Sequence, residues 1–147
     1  MTDRRLEIIE TAQATNALGI NKGTAGNFSH RAEEGFFITP SGLPYRDCEP
    51  EDIVYVNQDG ISDGRRKPSS EWRFHRDIYD ARPEVEAIIH LHSPHATALA
   101  CLEKSIPAFH YMVAVAGGIN IRCAPYATFG TQELSERAVA ALERRKA

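Results

Sequence analysis

A mixed α/β domain built around one sheet is the fold class that the sequence predicts, and three features point to it. Short stretches suited to strands, at 28–31, 35–39, 52–57 and 86–92, are interleaved with longer stretches of helical periodicity. They do not alternate strictly, as a repeated strand–helix–strand chain would. The 147 residues are the size of one domain. No internal repeat, low-complexity segment or linker divides them, so 1–147 is expected to form a single domain.

Residues 4–18 read as a helix, with Leu6, Ile9, Ala12, Thr15 and Ala17 approximating one apolar face and Gly19 placed as a C-terminal stop. The glycine- and asparagine-rich run NKGTAGN leads into the strand at 28–31. A second strand, 35–39, runs into the turn formed by PSGLP, and the third, 52–57, ends at Gln58-Asp59-Gly60. Ser69 or Ser70 starts a helix that reaches about Ala81, just before Arg82-Pro83. The strand at 86–92 is followed by a helix at 93–103 with Pro94 in its first turn, where proline is tolerated. AFHYMVAVAGG fits either a short helix or a buried strand, and IRCAPYATFGT looks irregular. From about Thr131 a last helix places Leu134, Ala138, Ala141 and Leu142 on one side.

Composition narrows the function. A net charge of -3, with Arg65-Arg66-Lys67 and Arg144-Arg145-Lys146 as short basic clusters, does not predict a nucleic-acid partner. No run approaches the roughly 20 apolar residues of a membrane span, and Met1-Thr2-Asp3-Arg4-Arg5 has no apolar region after it, as a signal peptide would. Three cysteines, Cys48, Cys101 and Cys123, form no CxxC pair and suggest reduced packing residues. A cytoplasmic protein is expected.

His90 and His92 end an apolar run. In a strand, residues i and i+2 share a face, about 6.6 Å apart. Two imidazoles so placed can converge on a cation, or can simply hydrogen-bond at a sheet edge. His95 falls on the following helix, and His30, His75 and His110 have no comparable spacing. In KPSSEWRFH, Ser69, Ser70 and Glu71 suit a helix start; the same free N–H groups and hydroxyls also make an anion seat. A carboxylate beside that seat and near a metal can remove a proton next to a carbonyl. GTAGN and PSGLP are plausible tight turns that can also present N–H groups to phosphate. Nucleotide-binding GxGxxG and P-loop patterns are absent.

Read together, NKGTAGNFS, ITPSGLPY, KPSSEWRFH, HLH, SIPAFHYM and CAPYATFGTQELSE resemble the class II aldolase/adducin family, and in particular its L-fuculose-phosphate aldolase branch. The six blocks occur in order over nearly the whole chain. The resemblance implies a three-layer α/β/α fold with a mostly antiparallel central sheet. It implies one zinc ion per subunit and cleavage of a ketose 1-phosphate to dihydroxyacetone phosphate and an aldehyde. It makes His90 and His92 metal ligands, and Glu71 the catalytic acid/base that also touches the metal in an empty site. Gly26, Asn27, Ser41, Gly42, Ser69 and Ser70 become the phosphate seat. Tyr111 and Phe129 resemble positions that orient the transition state or donate a proton to the aldehyde oxygen, Tyr111 serving a neighbouring subunit of a homotetramer.

One departure stands out. The family's third histidine ligand lies in a block after the helix that closes this sequence, and the C-terminal strand and helices that follow it are missing here as well. The chain is therefore expected to be C-terminally incomplete and weak as an aldolase by itself. Two other readings share the fold: a sugar-phosphate 4-epimerase, which tends to carry aspartate where Glu71 stands, and a non-catalytic adducin-like module or inactive fragment. Retention of His90, His92 and Glu71 argues against the second, and the missing ligand argues for it.

Overall fold

Five antiparallel strands form the middle layer, in the spatial order β4-β3-β2-β1-β5. The structure, a computed structural model, describes residues 3–147. β1 Asn27–Ala32 and β2 Gly35–Ile38 are joined by the two-residue turn Glu33-Glu34. β3 Val54–Asn57 and β4 Ser62–Asp63 extend the sheet beyond β2, and β5 Ala87–His90 pairs with the other side of β1, Asn27 lying opposite His90.

Because side chains alternate along a strand, each face has its own core. α1 Arg4–Ala17 covers one face, packing Ile8, Ile9 and Ala12 with Phe28, Tyr45, Cys48 and Ile53. On the opposite face Phe36, Ile38, Val54 and Val56 meet Tyr79 of α2 Trp72–Ala81. α5 Gln132–Ala141 packs along α2, where Ser135 Oγ donates to Asp77 Oδ2 at 2.6 Å and Gln132 Nε2 donates to the same oxygen at 2.8 Å. The result is the α/β/α layering that the resemblance implied.

Several boundaries differ from the sequence reading, each for a local reason. The buried stripe of α1 runs through Ile8, Ile9, Ala12 and Thr15, leaving Leu6 and Ala17 exposed. The predicted stop holds: Gly19 adopts φ 72 and its N–H caps Asn16 O. Asp52 lies in a 3-10 turn ahead of β3; its buried carboxylate accepts from Arg65 Nε and Arg66 Nε, both at 2.8 Å. α2 begins at Trp72 because Ser69 still belongs to an extended pairing, its N–H donating to Thr39 O at 3.0 Å. β5 stops at His90 because its partner β1 starts at Asn27. The ambiguous segment after Pro107 contains a short helix, α4 Met112–Val115.

The β5 side of the molecule is thinly covered. α3 Pro94–Cys101 has no buried residue, and Ile89, Leu102, Phe109, Met112 and Ile119 are exposed. No helix among the described residues is long and apolar enough to cross a membrane.

Candidate metal centre

β1, β5 and the residue that precedes α2 bring three donor groups together. His90 points to the α2 face of the sheet, as Ile88 does two residues earlier. His92 lies just past the strand yet stays beside it, the two imidazole rings nearly parallel with centroids 4.8 Å apart. Glu71 Oε2 is 3.4 Å from His90 Nδ1. One ligand atom from each of Glu71, His90 and His92 can be chosen so that all lie within 4.8 Å of one another. The spacing of the two histidines thus leads to a real convergence.

The surroundings suit a cation. His90 Nδ1 is buried and has no hydrogen-bond partner among the described residues, although it faces a carboxylate. Burial pulls the His90 imidazole below its ordinary value, and neighbouring His92 adds to this, while Glu71 opposes it. A neutral imidazole keeps a lone pair for a metal. Two histidines and one carboxylate are a donor set used by catalytic zinc, which keeps a further position open. The residues present therefore fit the ion that the resemblance implied.

Gly26 makes the close packing possible. It adopts φ +74, and a Cβ there would lie 2.3 Å from the carbonyl oxygen of His90. The Asn27 side chain is buried: Nδ2 donates to Glu71 Oε2 at 2.8 Å and Oδ1 accepts from His75 Nε2. The other two loops of the expected phosphate seat run side by side. Pro40 pairs with Pro68, and Ser41 N–H donates to Lys67 O at 3.0 Å. Ser41, Gly42 and Ser70 are exposed, while Ser69 is buried with its Oγ accepting from Glu71 N–H at 3.3 Å. Tyr111 and Phe129 are 75% and 70% exposed. The loop that carries Phe129 is tied to α2 by Arg73 Nη1, which donates to Gly130 O at 3.0 Å.

Two residues escaped the sequence reading. Asn21, 1% exposed, donates from Nδ2 to Ala25 O at 2.7 Å and accepts the His92 N–H on Oδ1 at 3.4 Å, bracing the 21–27 loop against the segment that carries His90 and His92. His75 is fully buried, with both ring nitrogens hydrogen-bonded. A polar side chain in a glycine-rich loop hints at the first; no local pattern signals the second. His95 and His110 are exposed and His30 bonds its neighbour's carbonyl, so none of these joins the cluster.

Residues 6–147 match the family described as Class II Aldolase and Adducin N-terminal domain. The chain is 59% identical over 140 residues to a 5-methylthioribulose-1-phosphate/5-deoxyribulose-1-phosphate aldolase of Rhodospirillum rubrum, covering 95% of this chain and 63% of the relative. It is 50% identical over 141 residues to an L-fuculose phosphate aldolase of Escherichia coli, covering 96% of this chain and 66% of that protein. Among solved structures, an L-fuculose 1-phosphate aldolase superimposes with a TM-score of 0.94 at 41% identity, covering 99% of this chain and 69% of the other. The chain thus spans just under two thirds of the length of these two relatives.

Proposed function

The chain belongs to the class II aldolase and adducin family, and on that premise we propose that it carries the catalytic half-site of a zinc-dependent aldolase. The substrate is a deoxyketose 1-phosphate such as L-fuculose 1-phosphate, 5-deoxyribulose 1-phosphate or the latter's methylthio analogue, 5-methylthioribulose 1-phosphate. The products are dihydroxyacetone phosphate and an aldehyde. One observation carries this reading: Glu71, His90 and His92 converge, with Asn27 bonded to Glu71, and the loops at 40–42 and 67–70 run side by side just ahead of Glu71.

Each residue has a task in cleavage. The loops at 26–27, 40–42 and 69–70 hold the phosphate, so binding energy from the unreactive end positions the carbon–carbon bond that breaks. Glu71, His90 and His92 hold the zinc, which when bound stabilises, as a Lewis acid, the negative charge that develops on the ketose oxygens. As the C3–C4 bond breaks, the C4 hydroxyl gives up its proton to the Tyr111 oxygen, the group that returns it to the aldehyde oxygen in the reverse direction. C4 becomes the aldehyde carbonyl, and the bond's electron pair stays on the dihydroxyacetone phosphate half. Glu71 then returns a proton to C3. Its Oε2 is occupied by the Asn27 hydrogen bond and faces His90, so Oε1 is the oxygen that carries the proton. The exposure of Tyr111 and Phe129 fits residues completed by a second copy, and we take the working form to be a homotetramer in which Tyr111 reaches a neighbour's site.

The test is elemental analysis together with a cleavage assay on the three ketose 1-phosphates. It is run on the 147-residue chain and on a version extended past Ala147 to the length of the relatives. Dihydroxyacetone phosphate released by the extended version, in proportion to its zinc content, supports the proposal. Failure to cleave any of the three in the zinc-loaded extended version overturns it.

A further inference from the structure

The hydrogen bonds behind Glu71 have a single direction. Asn27 presents Nδ2 to Glu71 Oε2, which accepts at 2.8 Å. That leaves Asn27 Oδ1 as the acceptor for His75 Nε2 at 2.5 Å, so the ring carries its proton on Nε2. Nδ1 of a neutral ring is then bare and accepts from Ser29 Oγ at 2.7 Å, and Ser29 Oγ in turn accepts from Tyr79 O–H at 2.8 Å. Every donor along Tyr79, Ser29, His75 and Asn27 points toward the carboxylate.

The His75 ring is built to stay in that state. It is 0% exposed and stacks on Phe74, with centroids 4.5 Å apart, and on Phe36, at 6.4 Å. Burial, with His90 adding to it, pulls its imidazole well below the ordinary value, which keeps the ring neutral. The opposite tautomer sets a bare Nε2 against Asn27 Oδ1. Relief then requires the amide to turn over, which brings its oxygen against Glu71 Oε2.

We propose that His75 is a positioning residue for Glu71, acting as the Nε2–H tautomer through the Asn27 amide to hold Oε2 toward the metal site and leave Oε1 free for the proton. This rests on the aldolase reading for its catalytic consequence, but not for the hydrogen-bond polarity. Groups that orient a ligand from behind commonly change metal affinity or activity by about 10–100-fold when removed.

The experiment uses the full chain and two variants. His75→Phe keeps the stacked ring and removes both polar atoms; His75→Gln restores a donor near the Nε2 position. Nitrogen-15 NMR of the metal-free chain, with histidine labelled, is expected to show His75 as the Nε2–H tautomer; an Nδ1–H or rapidly averaging ring overturns the proposal, with neither zinc nor substrate needed. Chelator competition with zinc alone is expected to show affinity weakened about 10–100-fold in His75→Phe and largely recovered in His75→Gln. In the extended version kcat falls with KM nearly unchanged, and His75→Gln rescues it. Unchanged zinc affinity and kcat in a folded His75→Phe protein overturn the proposal. If His75→Phe does not fold, the tautomer and the His75→Gln affinity decide. A correct tautomer in a protein that cleaves no ketose phosphate removes the aldolase reading and leaves the positioning claim standing.

Discussion

Asn27 Nδ2 lies 2.8 Å from Glu71 Oε2, tying the first residue of β1 to the residue that opens α2 across 44 positions of sequence. Asn27 also faces His90 across the sheet, and Gly26 before it passes against the His90 carbonyl. One dipeptide therefore sets the distance between the carboxylate and the first histidine. A site held this way resists small changes in the carboxylate more than changes in the backbone that carries it.

Glu71→Gln tests the carboxylate. The amide keeps the side chain's size and can still accept the Asn27 hydrogen bond, but it cannot carry the proton. In the extended version kcat is expected to fall at least about a hundredfold, the lower range for general acid–base catalysis, with the thermal unfolding curve nearly unchanged. Turnover close to the unsubstituted level removes Glu71 from the mechanism.

Gly26→Ala tests the backbone. The new Cβ would lie 2.3 Å from His90 O, in a φ +74 conformation that side chains rarely adopt. Either β5 shifts or the 21–27 loop does. The expected loss is about 1–3 kcal/mol in urea unfolding, the range for a strained residue, with weaker zinc binding. Native stability and native zinc affinity in this variant contradict the close packing of Gly26 on His90.

Acid acts on His75 and Asp52 in separate windows. The His75 imidazole is held well below its ordinary value, chiefly by burial. Below about pH 6.5 the unfolded chain therefore binds a proton that the folded chain does not. Stability falls as pH drops through that window, by up to about 1.4 kcal/mol per pH unit for one such group. The Asp52 carboxylate is held well below the usual carboxylate range, first by its hydrogen bond to Arg65 and then by Arg66, against the opposing effect of burial. Its contribution is complete above about pH 4 and is lost below. Urea unfolding from pH 7 to pH 3 is expected to show a smaller slope between 6.5 and 5 in His75→Phe, with His90 supplying the remainder. Asp52→Asn is expected to be destabilised at every pH above about 4, with the deficit shrinking only below that. Equal slopes for the unsubstituted chain and His75→Phe between pH 6.5 and 5 refute the buried neutral ring.

Much of the architecture is legible where local chemistry decides it. The α1 stop at Gly19 and the Thr131 cap of α5, whose Oγ1 accepts from Leu134 N–H, follow from single residues. Strand periodicity suggests the pairing of His90 with His92, but the strand ends at His90, and His92 stays beside it from just past the strand end. What depends on the docking of one element against another is not legible. Ile8 is buried and Leu6 exposed because of how α1 lies on the sheet. Ser135 rather than Leu134 is the most buried residue of α5 because Asp77 of α2 offers it an acceptor. His75 looks ordinary by spacing, since its partners Asn27 and Ser29 lie 48 and 46 residues away in sequence. Glu71 sits between these cases: helix-start chemistry explains it locally, and only the folded arrangement sets it against His90.

The most direct measurement is the zinc content of the purified extended protein beside His92→Ala. His92 is exposed, so its removal leaves the fold in place, and surface substitutions usually change stability by less than about 0.5 kcal/mol. About one zinc per chain is expected in the unsubstituted protein, with nearly all of it lost in His92→Ala. Equal zinc in both proteins, or none in either after incubation with the metal, contradicts a centre built from Glu71, His90 and His92.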